Sequence, residues 1–146
     1  MKKAKFTVKI DAPKEKVWNT LWDNSTYNKW TSVFNEGSHA VTDWNEGSEV
    51  LFLSGDGQQG MYSTIAKKVP NEFMSFQHLG VVKDAQKQPA DEESKQWSGA
   101  TENYTLKGAD GKTELIVEMD LTDEFEDYFK DTFPKALEKV KELSED

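Results

Sequence analysis

The hydrophobic positions at the start of the chain first alternate with polar ones and then change to a helical spacing. Residues 4–10 alternate with the period of a half-buried strand. After Pro13, residues 14–22 carry a broad apolar stripe at helical spacing, which predicts a helix that begins near this proline. Tyr27 and Trp30, three positions apart, predict a second short helix packed against the first.

The middle of the chain follows a period of two, which predicts a series of strands. Short connections between consecutive strands make the sheet antiparallel, and Asp110-Gly111 is the strongest hairpin signal. Residues 83–96 contain no large apolar side chain and predict an exposed, mobile loop. The predicted strands lie near residues 38–42, 49–54, 60–69, 72–82, 97–106 and 112–120.

The last segment predicts a long amphipathic helix. Phe125, Phe129 and Phe133 recur at every fourth position, with acidic residues near the start and lysines near the end, as the helix dipole favours. Pro134 removes one backbone hydrogen bond, so we expect this helix to be kinked or interrupted near Asp131. The order of elements predicts an α+β fold in which the helix closes a curved antiparallel sheet of about six or seven strands.

Length and charge narrow the possibilities. The 146 residues are about one domain's worth, and no linker divides them, so we expect one domain over residues 1–146. The net charge of −9 argues against binding to nucleic acid or to an anionic membrane. No apolar run approaches the ~18 residues of a membrane span, and cysteine is absent. We therefore expect a cytoplasmic monomer without disulfides.

Neither a nucleotide-binding motif nor a metal-binding motif is convincing in this chain. Gly55-Asp56-Gly57-Gln58-Gln59-Gly60 matches a dinucleotide fingerprint, but a strand rather than a helix is predicted after it, so we interpret it as a hairpin turn. His39 and His78 lack the spacing of metal ligands. The sequence thus predicts no metal, no cofactor and no recognised catalytic motif.

Two polar residues on predicted strands leave alternatives open. His78 shares a strand face with Met74 and Phe76, so it is either a hydrogen-bonded structural residue, which we prefer, or a residue that contacts a ligand or transfers a proton. Glu102 shares a face with Tyr104. A buried Glu102 would need a partner and would indicate a functional site, but we prefer a strand end that is open to water.

A set of methionine and aromatic side chains could line a cavity. Periodicity explains each of them as core, yet Met and aromatic residues also suit a compliant wall around a hydrophobic ligand. The candidate cavity-lining residues are Trp30, Phe52, Met61, Phe76, His78, Tyr104, Met119, Phe125, Phe129 and Phe133.

The order strand, two helices, several antiparallel strands and a long final helix resembles the helix-grip fold of the START-like (SRPBCC) superfamily, which includes birch-pollen-allergen-like proteins. Within it, the chain looks most like the bacterial branch related to the C-terminal domain of the heat shock protein 90 ATPase activator. It departs from that branch at Thr132-Phe133-Pro134, where a Gly-Trp pair is common. The resemblance is carried by Asp11-Ala12-Pro13, Val17-Trp18, Leu21-Trp22, Trp30, Gly47, Gly60-Met61, Pro70-Asn71-Glu72, Trp97-Ser98-Gly99-Ala100, Asn103-Tyr104, Asp110-Gly111-Lys112-Thr113, Tyr128-Phe129 and Ala136-Leu137-Glu138-Lys139-Val140-Lys141.

The resemblance implies a hydrophobic cavity under the last helix that holds lipids or polyketide-like aromatics. We therefore expect a carrier or sensor of a hydrophobic small molecule, without catalysis. Two alternatives stay open: a cyclase- or lyase-like enzyme that uses His78, Glu102 or Tyr104 in the same cavity, and a partner domain of a chaperone. We expect a ligand to enter between residues 83–96 and the helix interruption at Pro134.

Overall fold

A curved antiparallel sheet and three helices form the structure, a computed structural model that describes residues 2–34, 36–89, 91, 95 and 98–146, the side chain of Glu124 excepted. The strands are β1 (Lys2–Ile10), β2 (His39–Val41), β3 (Glu49–Leu53), β4 (Gly60–Val69), β5 (Phe73–Lys83), β6 (Gln86–Lys87), β7 (Thr101–Ala109) and β8 (Lys112–Leu121). The helices are α1 (Lys14–Trp22), α2 (Asn24–Thr31) and α3 (Asp123–Glu145).

The strands follow the order β1-β8-β7-β5-β4-β3-β2, and β6 pairs with β5 outside this path. The first strand pairs with the last, with Phe6 opposite Val117. Asp110 and Gly111 have φ values of 55° and 76° between β7 and β8, as a two-residue hairpin requires. The predicted α+β helix-grip architecture is confirmed.

The sheet has eight strands in the described residues rather than the six or seven expected, because part of the predicted loop 83–96 pairs with β5. Asp84 and Ala85 have φ values of 53° and 61° and turn the chain into the two-residue strand β6. Asp-Ala is not a recognised hairpin dipeptide, so the sequence carried no signal for this turn. Trp97, predicted to begin the following strand, lies outside the described residues, and β7 begins at Thr101.

Helix α3 runs without a break from Asp123 to Glu145 and contains Pro134, so the predicted interruption is wrong. A proline inside a helix costs about 3 kcal/mol. Phe133, Leu137 and Val140 are all buried on the same helix, and each buried side chain of this size contributes about 1.5–3 kcal/mol. Packing against the core therefore outweighs the lost backbone hydrogen bond.

The core lies between the sheet and the three helices. The Phe6 and Phe133 rings stack with their centroids 5.1 Å apart, which joins β1 to α3. The indole N–H of Trp30 donates to the carbonyl oxygen of Leu21 at 3.2 Å, which joins α2 to α1. None of the helices in the described part of the chain has the length and hydrophobicity needed to cross a membrane.

Candidate ligand-binding cavity

The space between the sheet, α2 and α3 is divided into two lobes. The aromatic lobe, next to α2, has a volume of about 470 Å³, and the loop lobe, which extends under Gln88, Pro89 and Asp91, has a volume of about 620 Å³. Both volumes fall within the range of roughly 300–1,000 Å³ that is usual for ligand pockets. The lobes share the side chains of Met61, His78, Glu102 and Phe129 in their walls.

Aromatic rings from the helices and the sheet hold one another in the wall of the aromatic lobe. Trp22 meets Tyr104 edge to face with centroids 4.9 Å apart, and Phe52 meets Phe76 in the same way at 5.3 Å. This geometry is favoured by the ring quadrupoles and fixes the ring positions. The rings of this lobe belong to Trp22, Tyr27, Trp30, Phe34, Phe52, Phe76, Tyr104, Phe129 and Phe133.

A row of polar side chains crosses three neighbouring strands where the lobes meet. The Ser63 hydroxyl oxygen lies 2.7 Å from Nδ1 of His78, and Nε2 of His78 lies 3.2 Å from Oε1 of Glu102. The Tyr104 hydroxyl donates to Oε2 of the same carboxylate. These four side chains are called the polar row below, and two of them, His78 and Glu102, line both lobes.

An irregularity in β5 positions the polar row. Ser63 pairs with His78, but Tyr62 pairs with Gly80, so Leu79 is an extra residue in the ladder. Such a bulge reverses the alternation of side chains beyond it. His78, before the bulge, and Val81, three positions later, therefore lie on the same face of the sheet, and both line the loop lobe.

One arrangement of protons satisfies every hydrogen bond of the polar row. Ser63 is fully buried, and among the described residues its hydroxyl contacts only Nδ1 of His78. A buried hydroxyl donor needs an acceptor, so Nδ1 accepts this bond and Nε2–H donates to Glu102. Burial and the adjacent Glu102 carboxylate hold the pKa of Tyr104 well above its ordinary value. Tyr104 therefore stays protonated and donates to Glu102.

The structure places every predicted cavity-lining residue in a wall of at least one lobe, and their role in ligand binding stays a prediction. Met119 and Phe125 line the loop lobe only, whereas Met61, His78 and Phe129 line both lobes. The remaining predicted residues line the aromatic lobe, namely Trp30, Phe52, Phe76, Tyr104 and Phe133.

Glu102 is the second residue of β7, but its face is covered there rather than open to water, so our preferred interpretation of it is wrong. It stands in β7 opposite Phe76 of β5 and Met119 of β8, and strands flank it on both sides. Its side chain is 23% exposed, towards the cavity, and it accepts hydrogen bonds from His78 and Tyr104.

Sequence reasoning missed several residues of the site. Trp22, Tyr27 and Phe34 line the aromatic lobe, but the helical stripe explained the first two as packing between helices. Ser63 was also missed, although the sequence carries a signal for it. It is a polar residue between Met61 and Ile65 on the inward face of β4. In the part of the chain that the structure describes, no cluster of three or more His, Asp or Glu side chains could hold a metal ion.

The comparison with protein families identifies the chain's relatives. The family model described as "Activator of Hsp90 ATPase homolog 1-like protein" matches residues 11–145. The chain belongs to this family. The resemblance to the activator-related branch of the START-like superfamily is thereby confirmed. No curated protein sequence matches the chain significantly.

Several solved structures share the fold at low sequence identity. The Aha1 dimer from Colwellia psychrerythraea has a TM-score of 0.75 and 18% identity, and the match covers 99% of this chain and 97% of that one. CalU16 from Micromonospora echinospora has a TM-score of 0.68 and 15% identity, covering 97% and 75% of the two chains. DynU16, a putative protein in the dynemicin biosynthetic locus, has a TM-score of 0.71 and 15% identity, covering 96% and 46%. At these identities the likeness shows the fold alone.

Proposed function

We propose that this family member binds a hydrophobic small molecule, a lipid or a polyketide-like aromatic, in the two-lobed cavity between the sheet and α3. The observation that carries the proposal is an aromatic cavity whose central hydrogen-bonding groups form one polar row. Cavities with mostly apolar walls and a few convergent polar groups are typical ligand sites. The description of DynU16 as a biosynthetic-locus protein supports a small-molecule ligand here as well.

Binding of the neutral fluorophore N-phenyl-1-naphthylamine tests this proposal. Its emission should rise on binding to the wild-type protein, because the fluorophore leaves water for an apolar site. Met61→Trp adds a ring where the two lobes meet and should weaken binding by roughly tenfold, since a filled cavity leaves no room for the probe.

Tyr62→Trp is the matched control, because Tyr62 is the next residue of β4 and its ring lies on the other face of the sheet, 5.4 Å from the Lys87 amino group. This variant should bind the fluorophore like the wild type. A wild-type protein that gives no emission change, and from which native mass spectrometry releases no small molecule, would contradict the ligand-binding function.

An acid–base enzyme is a second candidate, supported by the convergence of His78, Glu102 and Tyr104 in one row at the cavity wall. A carboxylate hydrogen-bonded to a neutral imidazole can accept a proton from a bound carbon acid. The test is exchange of the methyl protons of 2-acetonaphthone with D2O, followed by NMR. Exchange faster than in buffer that is lost in Glu102→Gln would favour catalysis, and exchange at the buffer rate would contradict it.

A partnership with a chaperone stays a prediction from the family, whose description names an activator of the Hsp90 ATPase. Titration of the protein into a steady-state ATPase assay of that chaperone tests it directly. Stimulation would support a chaperone role beside ligand binding, and an unchanged rate at saturating protein would contradict it.

A further inference from the structure

The charged groups around the cavity are mainly acidic. In the described residues, Glu102 is the only Asp, Glu or Lys side chain in the wall of the aromatic lobe. Among the residues that the structure describes, the loop lobe adds Asp91 and Asp120 and one lysine, Lys83. Asp120 pairs with Lys3 at 3.4 Å, whereas the only basic side chain of the described chain within ion-pair distance of Glu102 is His78.

The sequence lacks the side chain that most often recognises an anionic ligand. The chain has 18 lysines and no arginine. The planar guanidinium group of arginine is the usual bidentate partner of carboxylates and phosphates. A fatty acid or a phosphorylated ligand would therefore meet the Glu102 carboxylate without an arginine to bind its own charge.

The polar row leaves one negative charge in the cavity. With the buried Ser63 hydroxyl donating to Nδ1 of His78, the ring has one N–H donor, at Nε2, and it meets the Glu102 carboxylate through that single hydrogen bond. His78 and Tyr104 each donate one hydrogen bond to the carboxylate. A carboxylate has about four acceptor positions, so about two remain for a ligand. A neutral ligand that displaced the cavity water would leave this charge without compensation.

The ring-lined wall next to this carboxylate suits a cation. Aromatic faces attract organic ammonium groups through their quadrupoles, and the attraction grows when water is excluded. The Tyr104 ring belongs both to this wall and, through its hydroxyl, to the polar row. A carboxylate beside several aromatic rings can thus bind an ammonium group both by a charged hydrogen bond and by cation–π attraction.

We propose that the ligand is a hydrophobic amine whose ammonium group binds Glu102 where the lobes meet, with its apolar body in the aromatic lobe. This inference rests on the proposed ligand-binding function and adds the chemical class of the ligand's polar group. It separates this cavity from one for fatty acids, in which a basic side chain would face the headgroup.

Three unbranched ten-carbon probes test the inference: decylamine, 1-decanol and decanoate, each below its micelle concentration. Binding is measured at pH 7 by tryptophan fluorescence and by NMR of the labelled protein. We expect decylamine to bind at least about tenfold more tightly than decanoate, because one charge-assisted hydrogen bond is involved. Decanol should lie between them.

Glu102→Gln keeps the size of the side chain and removes its charge. It should weaken decylamine binding by roughly tenfold and leave decanol binding unchanged or stronger, because the uncompensated charge beside the neutral probe is gone. Glu118→Gln is the matched control, because Glu118 lies on β8, is exposed and lines neither lobe. It makes the same change in net charge and should leave the binding of all three probes unchanged.

The outcomes separate this inference from the proposed function. Equal affinities for the three probes, or tightest binding of decanoate, would overturn the amine inference and leave hydrophobic ligand binding intact. An amine preference that survives in Glu102→Gln would overturn the assignment to Glu102. Failure of all three probes to bind would contradict the proposed function and the inference together.

Discussion

Nε2 of His78 lies 3.2 Å from Oε1 of Glu102, across the pair of strands β5 and β7 at the wall that both lobes share. The His78 ring is also hydrogen-bonded to Ser63, and the Glu102 carboxylate also accepts a hydrogen bond from Tyr104. Each partner is therefore held in one orientation by a second hydrogen bond. A pre-oriented carboxylate needs little rearrangement to bind a donor from a ligand.

The two histidines are expected to carry their ring protons on different nitrogens. Nδ1 of His39 lies 3.0 Å from the carbonyl oxygen of Gly37, which can only accept, so His39 is protonated at Nδ1. His78 is protonated at Nε2, because its Nδ1 accepts from Ser63. Long-range proton–nitrogen NMR at about pH 8, where most histidines are neutral, distinguishes these tautomers. The same tautomer at both residues would refute the protonation pattern of the polar row.

Buried tyrosines should make the protein lose stability in alkaline solution. Burial and then the Glu102 charge raise the pKa of both Tyr27 and Tyr104 above the ordinary value near 10. Above pH 10 the unfolded chain releases these protons and the folded protein keeps them, so the stabilisation present below that pH is lost as pH rises. Each tyrosine contributes a slope of about 1.4 kcal/mol per pH unit.

Urea unfolding between about pH 9 and pH 12 measures this slope. Tyr27→Phe should reduce it by the contribution of one tyrosine, whereas Tyr128→Phe, at a residue 46% exposed, should leave it unchanged. A wild-type protein whose unfolding free energy is constant over this range would show that the buried hydroxyls ionise freely.

Gly60 is expected to tolerate no side chain. A Cβ at this position would lie 1.8 Å from the carbonyl oxygen of Phe52 on the paired strand. Gly60→Ala should therefore lower the free energy of unfolding by about 3 kcal/mol or more, as clashes with the backbone do. The control is Gly57→Ala in the same turn, where no atom lies within 4 Å of the added Cβ and only the φ of 74° opposes it.

Chemical denaturation of both variants checks the comparison. Gly57→Ala should cost about 1 kcal/mol, the usual penalty of a left-handed backbone for a residue with a side chain. If the two variants lose equal stability, the close approach of β3 and β4 at Gly60 is not the cause.

Replacement of Pro134 should stabilise α3. The residue is exposed and lies inside a continuous helix, so Pro134→Ala restores a backbone donor without disturbing the core. The gain should be about 2 kcal/mol, which is the helix penalty of proline less the entropy that alanine adds to the unfolded chain. Lys135→Ala, at the next exposed position, should change stability by less than about 0.5 kcal/mol. Thermal and urea unfolding of the two variants provide the measurement.

The sequence was informative where one residue type decides the backbone and less so where packing decides it. The Phe125, Phe129 and Phe133 spacing predicted α3 correctly, and Asp110-Gly111 predicted its hairpin. Pro134 pointed to an interruption, but the buried face of the helix outweighs its local effect. The local sequence does not show how much apolar surface the neighbouring residues will bury in the folded protein.

The cavity was predictable as a set of side chains but not as a geometry. Alternation placed Phe76 and His78 on one face, yet the bulge at Leu79 and the pairing of β5 with both β4 and β7 bring Ser63, His78 and Glu102 together. From the sequence, Glu102 could be either a buried carboxylate or a residue at a wet strand end. Only the positions of β5 and β8 on either side show that it is interior.

The pairing of β1 with β8 also has a consequence for the order of folding. Lys2 lies opposite Leu121, so the first strand has no partner in the sheet until almost the whole chain is available. Closing so long a loop is slow compared with forming the hairpins of the middle strands. We expect the amides of β1 to become protected last in pulse-labelling hydrogen exchange. On the ribosome, this strand would wait for its partner β8 to emerge before it could join the sheet.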